Sequence, residues 1–352
     1  MKKSLLALAV LGAFAGAASA QSSVTLFGTL DVNGRYVKND GQSKRLSEAT
    51  DGINSSQLGF KGVEDLGGGL KAGFILLAGV NPDAGTSNTA TTATGTLQSK
   101  FWNRRSTVSL FSNAGELRLG RDYTPTFWNQ TIYDAFGTNG LGSSLNVAQA
   151  FDGVRRDNSI GYFLPSTLGG FYGQVMVAAA ESGNTLDKPG RYLGGRFGFA
   201  AGPFDVAVAY AQQRFFVASP PDIAGGSHDT WNVGGVYDFG FLKLMGYYQH
   251  DKLDNFTENR YHPSVLIPMG QGEVHLGYDY SKLSANASGA TTKVDQFKAT
   301  YQYNLSKRTA MYGTASLLKN KDATHISLSG GYGTTTNGGD SKGFELGIRH
   351  FF

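Results

Sequence analysis

The chain closes on Gly347-Ile348-Arg349-His350-Phe351-Phe352, the end of a segment in which apolar and polar groups alternate up to a terminal phenylalanine. Successive side chains of a strand point to opposite faces. Phe344, Leu346, Ile348, His350 and Phe352 therefore share one face, and Glu345, Gly347 and Arg349 the other. The pattern repeats upstream. Val206, Val208 and Tyr210 oppose Asp205, Ala207 and Ala209, and Phe297, Ala299, Tyr301 and Tyr303 oppose Gln296, Lys298, Thr300 and Gln302. One such strand fits a half-buried soluble hairpin equally well; the repetition points to a barrel with an apolar outside and a polar, wet inside.

Working outward, the other end of the chain carries an export signature. Lys2 and Lys3 precede an apolar run from Leu5 to Phe14, and Ala18-Ser19-Ala20 supplies a small-residue cleavage site. We expect residues 1–20 to be removed and residues 21–352 to form one transmembrane β-barrel domain. The apolar run is shorter than the roughly 20 residues a spanning helix needs, and no later segment reads as one. The chain has no cysteine, so disulfides play no part, and its net charge of +4 is too even to suggest a nucleic-acid partner. Its 49 glycines against 9 prolines fit many short strands joined by tight turns.

The connections can be counted. Seven short turns are predicted, at 65–69, 113–115, 166–170, 201–203, 238–240, 268–272 and 304–306. Eight longer polar stretches lie near 38–52, 81–100, 122–156, 181–190, 213–229, 250–262, 281–292 and 320–341. Short turns alternating with long loops are the asymmetry of an outer-membrane barrel. Fifteen connections imply an all-β fold of sixteen antiparallel strands, closed by pairing the first strand, Val24 to Val37, with the last, Lys342 to Phe352.

These residues resemble the trimeric general diffusion porins of Gram-negative outer membranes. The likeness is carried by Val24-Thr25-Leu26-Phe27-Gly28, by the run from Leu58 through Glu64-Asp65-Leu66-Gly67-Gly68-Gly69 to Ala72, by Leu119-Gly120-Arg121-Asp122-Tyr123, by Asp157-Asn158-Ser159, and by the Phe-ended last strand. The resemblance implies a water-filled pore for small hydrophilic solutes and ions, narrowed by the third outside loop, from Asp122 to Arg156, folding inward. Gly137, Gly140 and Gly142 would permit its reversals. It also implies a homotrimer set among outer-membrane lipid and lipopolysaccharide. Small outward groups near Gly28, Leu30 and Val32 offer weak support for subunit packing. Glu345, Gly347, His350 and Phe352 would form the assembly signal read by the barrel-insertion machinery.

In the resembled family, wall arginines face acids on the infolded loop and set ion preference. Parity places Arg105, Arg118 and Arg155 inward, together with Lys61 and Gln57, where many relatives carry arginine. Arg104 must bend to reach the lumen, and either Arg104 or Arg105 could line the narrowing. Arg156 follows Arg155. Arg121 falls on the family's Gly-Arg position but would point outward unless a bulge at Gly120 re-aims it. The loop reads Asp134-Ala135-Phe136-Gly137 where relatives often read Pro-Glu-Phe-Gly, leaving Asp134 as its nearest acid and Asp152 further on. The constriction should be net positive and mildly anion-preferring, unless acids at the mouth such as Asp222, Asp229, Asp251, Asp254 and Glu258 balance it.

An outer-membrane hydrolase would need a nucleophile, a histidine and an orienting group brought together. No such constellation is visible in the sequence: the six histidines are scattered, mostly in predicted loops or near strand ends, and neither a metal site nor a cofactor site is expected. A substrate-specific channel is the remaining alternative. Phe127, Trp128, Tyr133, Phe136 and Phe151 could give it a stacking surface or could simply anchor the loop.

Overall fold

The computed structural model describes residues 23–87, 89–91, 97–150, 153–180, 191–214, 226–285, 288–331 and 333–352; the export signature, Phe151, Asp152 and Asp222 lie outside them. Sixteen strands form the wall: β1 Ser23–Asn39, β2 Gln57–Gly67, β3 Leu70–Asn81, β4 Arg105–Ser112, β5 Gly115–Tyr123, β6 Arg155–Phe163, β7 Phe171–Ala178 and β8 Tyr192–Ala201, followed by β9 Phe204–Arg214, β10 Ser227–Asp238, β11 Lys243–Leu253, β12 Phe256–Met269, β13 Gly272–Ala285, β14 Thr291–Asn304, β15 Thr309–Lys321 and β16 Asp340–Phe351. Each pairs antiparallel with its neighbours, and β1 pairs with β16 from Thr29↔Phe351 to Asn39↔Ser341, so the wall has no free edge. In lipid, where no water can satisfy a bare backbone group, closure is what makes a spanning sheet possible.

All seven predicted turns fall between strands. At the first, Gly67, Gly68 and Gly69 all have φ between +63° and +83°, a left-handed run that side chains would resist. Parity also holds. Outward Val208, Tyr210, Phe297, Tyr301, Leu346 and Ile348 are exposed in the isolated chain, whereas inward Ala207, Ala209, Gln296, Lys298 and Glu345 are buried.

Four expectations are corrected. The stretch 250–262, expected as a long loop, is nearly all strand: β11 runs to Leu253 and β12 begins at Phe256, leaving only Asp254-Asn255 between them. Its polarity comes from side chains that face the lumen. Asp251 and Glu258, expected as mouth charges, are enclosed there around Arg260, and His262 is buried against Asp279 in mid-strand rather than at a loop. Gly28 does not offer an open surface, because the ring of Phe352 lies where a Cβ would stand.

Candidate functional site

The third outside loop folds into the barrel because its own sequence starts a helix there and the wall answers its polar groups. Thr124 caps α1 (Pro125–Ile132): its hydroxyl accepts the Phe127 N–H, and Pro125 takes the first helical position, where no N–H is needed. The helix lies on the inner wall of β7 to β10. Asn129 donates to Asn232 Oδ1 at 2.8 Å and to the Ala207 carbonyl at 3.2 Å, and Gln130 donates to Gln249 at 2.5 Å. The Tyr133 hydroxyl meets Tyr172 and Asp205 at 2.8 and 2.9 Å. Burial and those bonds push its phenol above the usual range, so it remains neutral.

The loop then reverses. Gly140 (φ +57°) passes so close to the wall that a Cβ would stand 2.3 Å from the Gly52 carbonyl oxygen and 2.7 Å from Glu345. Beyond it, the short helical turns Gly140–Gly142 and Ser144–Val147 pack against β13 to β16. Leu141 and Val147 join Val37, Val294, Leu318 and Leu328 in a small apolar core inside the lumen. Two wall carboxylates satisfy loop backbone that is enclosed in the lumen. Glu345 accepts from Leu141 N, and Glu258 accepts from Gln149 N and Ala150 N at 3.0 and 2.5 Å.

A second segment shares the site, and sequence reasoning missed it. Asp31, fully buried on β1, accepts the N–H groups of Gly52, Ile53 and Asn54 at 3.1, 2.9 and 2.7 Å, together with the Tyr312 hydroxyl. The returning limb of the first loop is thereby drawn inward, and Ser55 donates to Asn139 of the third loop at 2.9 Å. The available signal was an acid at an inward strand position, followed by a glycine-containing polar stretch.

The basic residues fall into distinct settings. Arg105 donates twice to Asp122, at 2.6 and 3.0 Å; Arg118 donates to the same carboxylate at 2.6 Å and to Glu116. Both charges are answered. Arg104 also enters the lumen, with Asp51 at 3.2 Å from one terminal nitrogen. Arg155 lies 4.5 Å from the centre of the Tyr123 ring and donates to that hydroxyl at 3.0 Å. Among the described residues it has no carboxylate partner. Tyr123 thus sits among Arg104, Arg105 and Arg155, its ring stacked on Phe127 at 5.6 Å and edge-on to Trp128 at 5.3 Å.

Other expected members stand apart. Arg121 is held by Asp157 at 2.7 Å and by the Asn103 carbonyl. Its neighbourhood is irregular: Gly120 has φ +121°, and the ladder shifts on β6 between Arg156 and Ser159. Arg156 donates to Gln213 and lies 4.8 Å over the Tyr192 ring. Gln57 faces inward opposite Thr29. Lys61 lies on the same strand face, nearer the short-turn end, 5.3 Å over Phe27. Asp134 is 4% exposed, and its carboxylate lies 3.5 Å from Lys298, across the loop from the arginines. On the last strand, Glu345 pairs with Arg35 at 2.8 Å, and a Cβ on Gly347 would strike the Tyr312 hydroxyl. His350 and Phe352 point outward, the former bonded to Thr309. No described cluster of three ligating side chains could hold a metal.

The family model described as Gram-negative porin matches residues 7–323. Outer membrane porin protein 32 of Delftia acidovorans is 40% identical, over the full length of both chains. The anion-selective porin from Comamonas acidovorans superposes with a TM-score of 0.80 at 37% identity, covering 94% of this chain and all of the other. OmpT of Vibrio cholerae in its trimer form gives 0.66 at 15% identity, covering 94% and 99%, a likeness of fold alone.

Proposed function

The chain belongs to the Gram-negative porins, and from that premise we propose that its channel favours small hydrophilic anions at a constriction set chiefly by Arg155, with Arg104, itself paired to Asp51, beside it. As a family member it is an outer-membrane channel for passive diffusion rather than an enzyme. The observation that carries the anion preference is the one-sidedness of the narrowing. The loop's Asp134 is turned to Lys298, while Arg155 has a phenol and, among the described residues, no carboxylate for a partner. Field lines in a narrow, low-dielectric channel concentrate such an imbalance. The anion selectivity named for the Comamonas acidovorans structure supports the same reading. Lys61, Arg105, Arg118 and Arg156 add to the basic wall with charges already engaged or more distant, and Gln57 leaves that wall one charge short.

The functional unit is a homotrimer, in keeping with the trimer recorded for the Vibrio cholerae protein. Residues 1–20 are an export signal removed from the barrel of residues 21–352. Glu345, Gly347, His350 and Phe352 are read by the insertion machinery, and the outer leaflet contact is lipopolysaccharide. Reversal potentials of the refolded protein in a planar bilayer under a potassium chloride gradient test the charge assignment. An anion-favouring potential with conductance in triplet steps is expected. A cation-favouring potential at neutral pH overturns the assignment.

A further inference from the structure

Between α1, the Gly137–Asn139 reversal and the arginine wall lies a cavity of about 300 Å³, at the small end of ligand pockets. Its lining combines two chemistries. One is aromatic: the stacked Tyr123 and Phe127 rings with Trp128 set against them. The other is cationic: Arg155, which has no carboxylate partner among the described residues, and Arg104, one terminal nitrogen of which meets Asp51 outside the lining. Three buried donors in this lining, Arg104 Nε, Arg155 Nε and Trp128 Nε1, have no hydrogen-bond partner, and Arg104 as a whole is only 7% exposed. Native proteins answer most buried donors, so the protein's own groups do not use up the donor capacity of these three side chains.

Chloride would answer the charge but leave the rings unused. A neutral ring would do the reverse. We propose that this cavity is a subsite for single-ring aromatic carboxylates, the carboxylate on Arg104 and Arg155 and the ring against Phe127 and Trp128. The subsite rests on the anion-preferring reading above and adds a shape requirement to it. A planar carboxylate matches the guanidinium fork, and a ring gains on an aliphatic chain by stacking and edge contacts. The site opens to the lumen, so occupancy is transient, as passage requires. A molecule resident there stands in the path of the current.

Benzoate, acetate and benzyl alcohol, added singly to refolded channels in a planar bilayer at fixed potassium chloride, separate the possibilities. Benzoate is expected to block the current saturably, with acetate needing at least tenfold more for equal block and benzyl alcohol giving none. Each variant's block is read against its own unblocked current. In Phe127→Leu and Trp128→Phe, a conservative pair chosen to keep the loop folded, the half-blocking benzoate concentration should rise threefold or more while that of acetate stays put. Equal block by benzoate and acetate, or unchanged benzoate block in both variants, overturns the subsite. That result with an anion-favouring reversal potential leaves the charge reading standing. A cation-favouring potential with saturable, Trp128-dependent benzoate block removes the charge reading and retains the subsite.

Discussion

Arg260 and Arg155 both lie inside the barrel, on different stretches of its wall, and they are treated differently. Arg260 is fully enclosed, with Asp251 at 2.7 Å and Glu258 at 3.7 Å, and Glu258 in turn holds the end of the third loop. Arg155 faces a cavity with a phenol and, among the described residues, no carboxylate for a partner. The first guanidinium is part of the mortar, its charge consumed by groups that must not be left alone in a low-dielectric interior. In the proposed reading the second keeps a charge available to passing solutes. The number of arginines in the lumen is therefore a poor guide to the field in it; what counts is which of them have no acid beside them.

The largest test of that contrast is Arg260→Met. It leaves Asp251 and Glu258 buried without their cation, and should lower unfolding stability by about 3–5 kcal/mol in a urea titration of the lipid-reconstituted barrel. A change below about 1 kcal/mol would remove Arg260 from the structural class. Next comes Glu345→Gln, which weakens the bonds to Arg35 and Leu141 N. A loss of about 1.5–3 kcal/mol is expected, with noisier single-channel current as the loop loosens. Arg155→Gln should leave stability nearly unchanged yet move the reversal potential toward cations, by an amount equivalent to about 1 kcal/mol or less for a charge felt through water. Stability loss without a selectivity shift would invert the comparison. Smallest is Asp134→Asn. Because Lys298 keeps the nearer Asp279 at 2.9 Å, its charge stays answered and the reversal potential should stay within error of the parent.

Much of the barrel was legible from residue parity and glycine-rich turns, because both express backbone geometry that acts locally. The strand content of 250–262 was not, since lumen-facing Asp251, Glu258 and Arg260 make a strand look like a solvated loop when their partners across the ladder are unknown. Arg105 and Arg118 could be placed inward by alternation, but their shared engagement with Asp122 depends on the pairing of β4 with β5. Arg104 lies just before β4 begins, where strand parity no longer governs, and both it and Arg105 turn out to enter the lumen. The role of Asp31 was the least visible. An inward acid on a first strand has no local mark that it will gather three backbone N–H groups from a segment about twenty residues on.

Glu345 sits on β16, and its carboxylate reaches both Arg35 on β1 and Leu141 in the third loop. Tyr312 likewise reaches across to Asp31, and through it to the limb of the first loop. Until the two ends of the sheet meet, neither loop has its full set of anchors. The sieve is therefore finished by the same event that zips the wall shut, and a chain stalled before closure would hold its strands without holding its gauge.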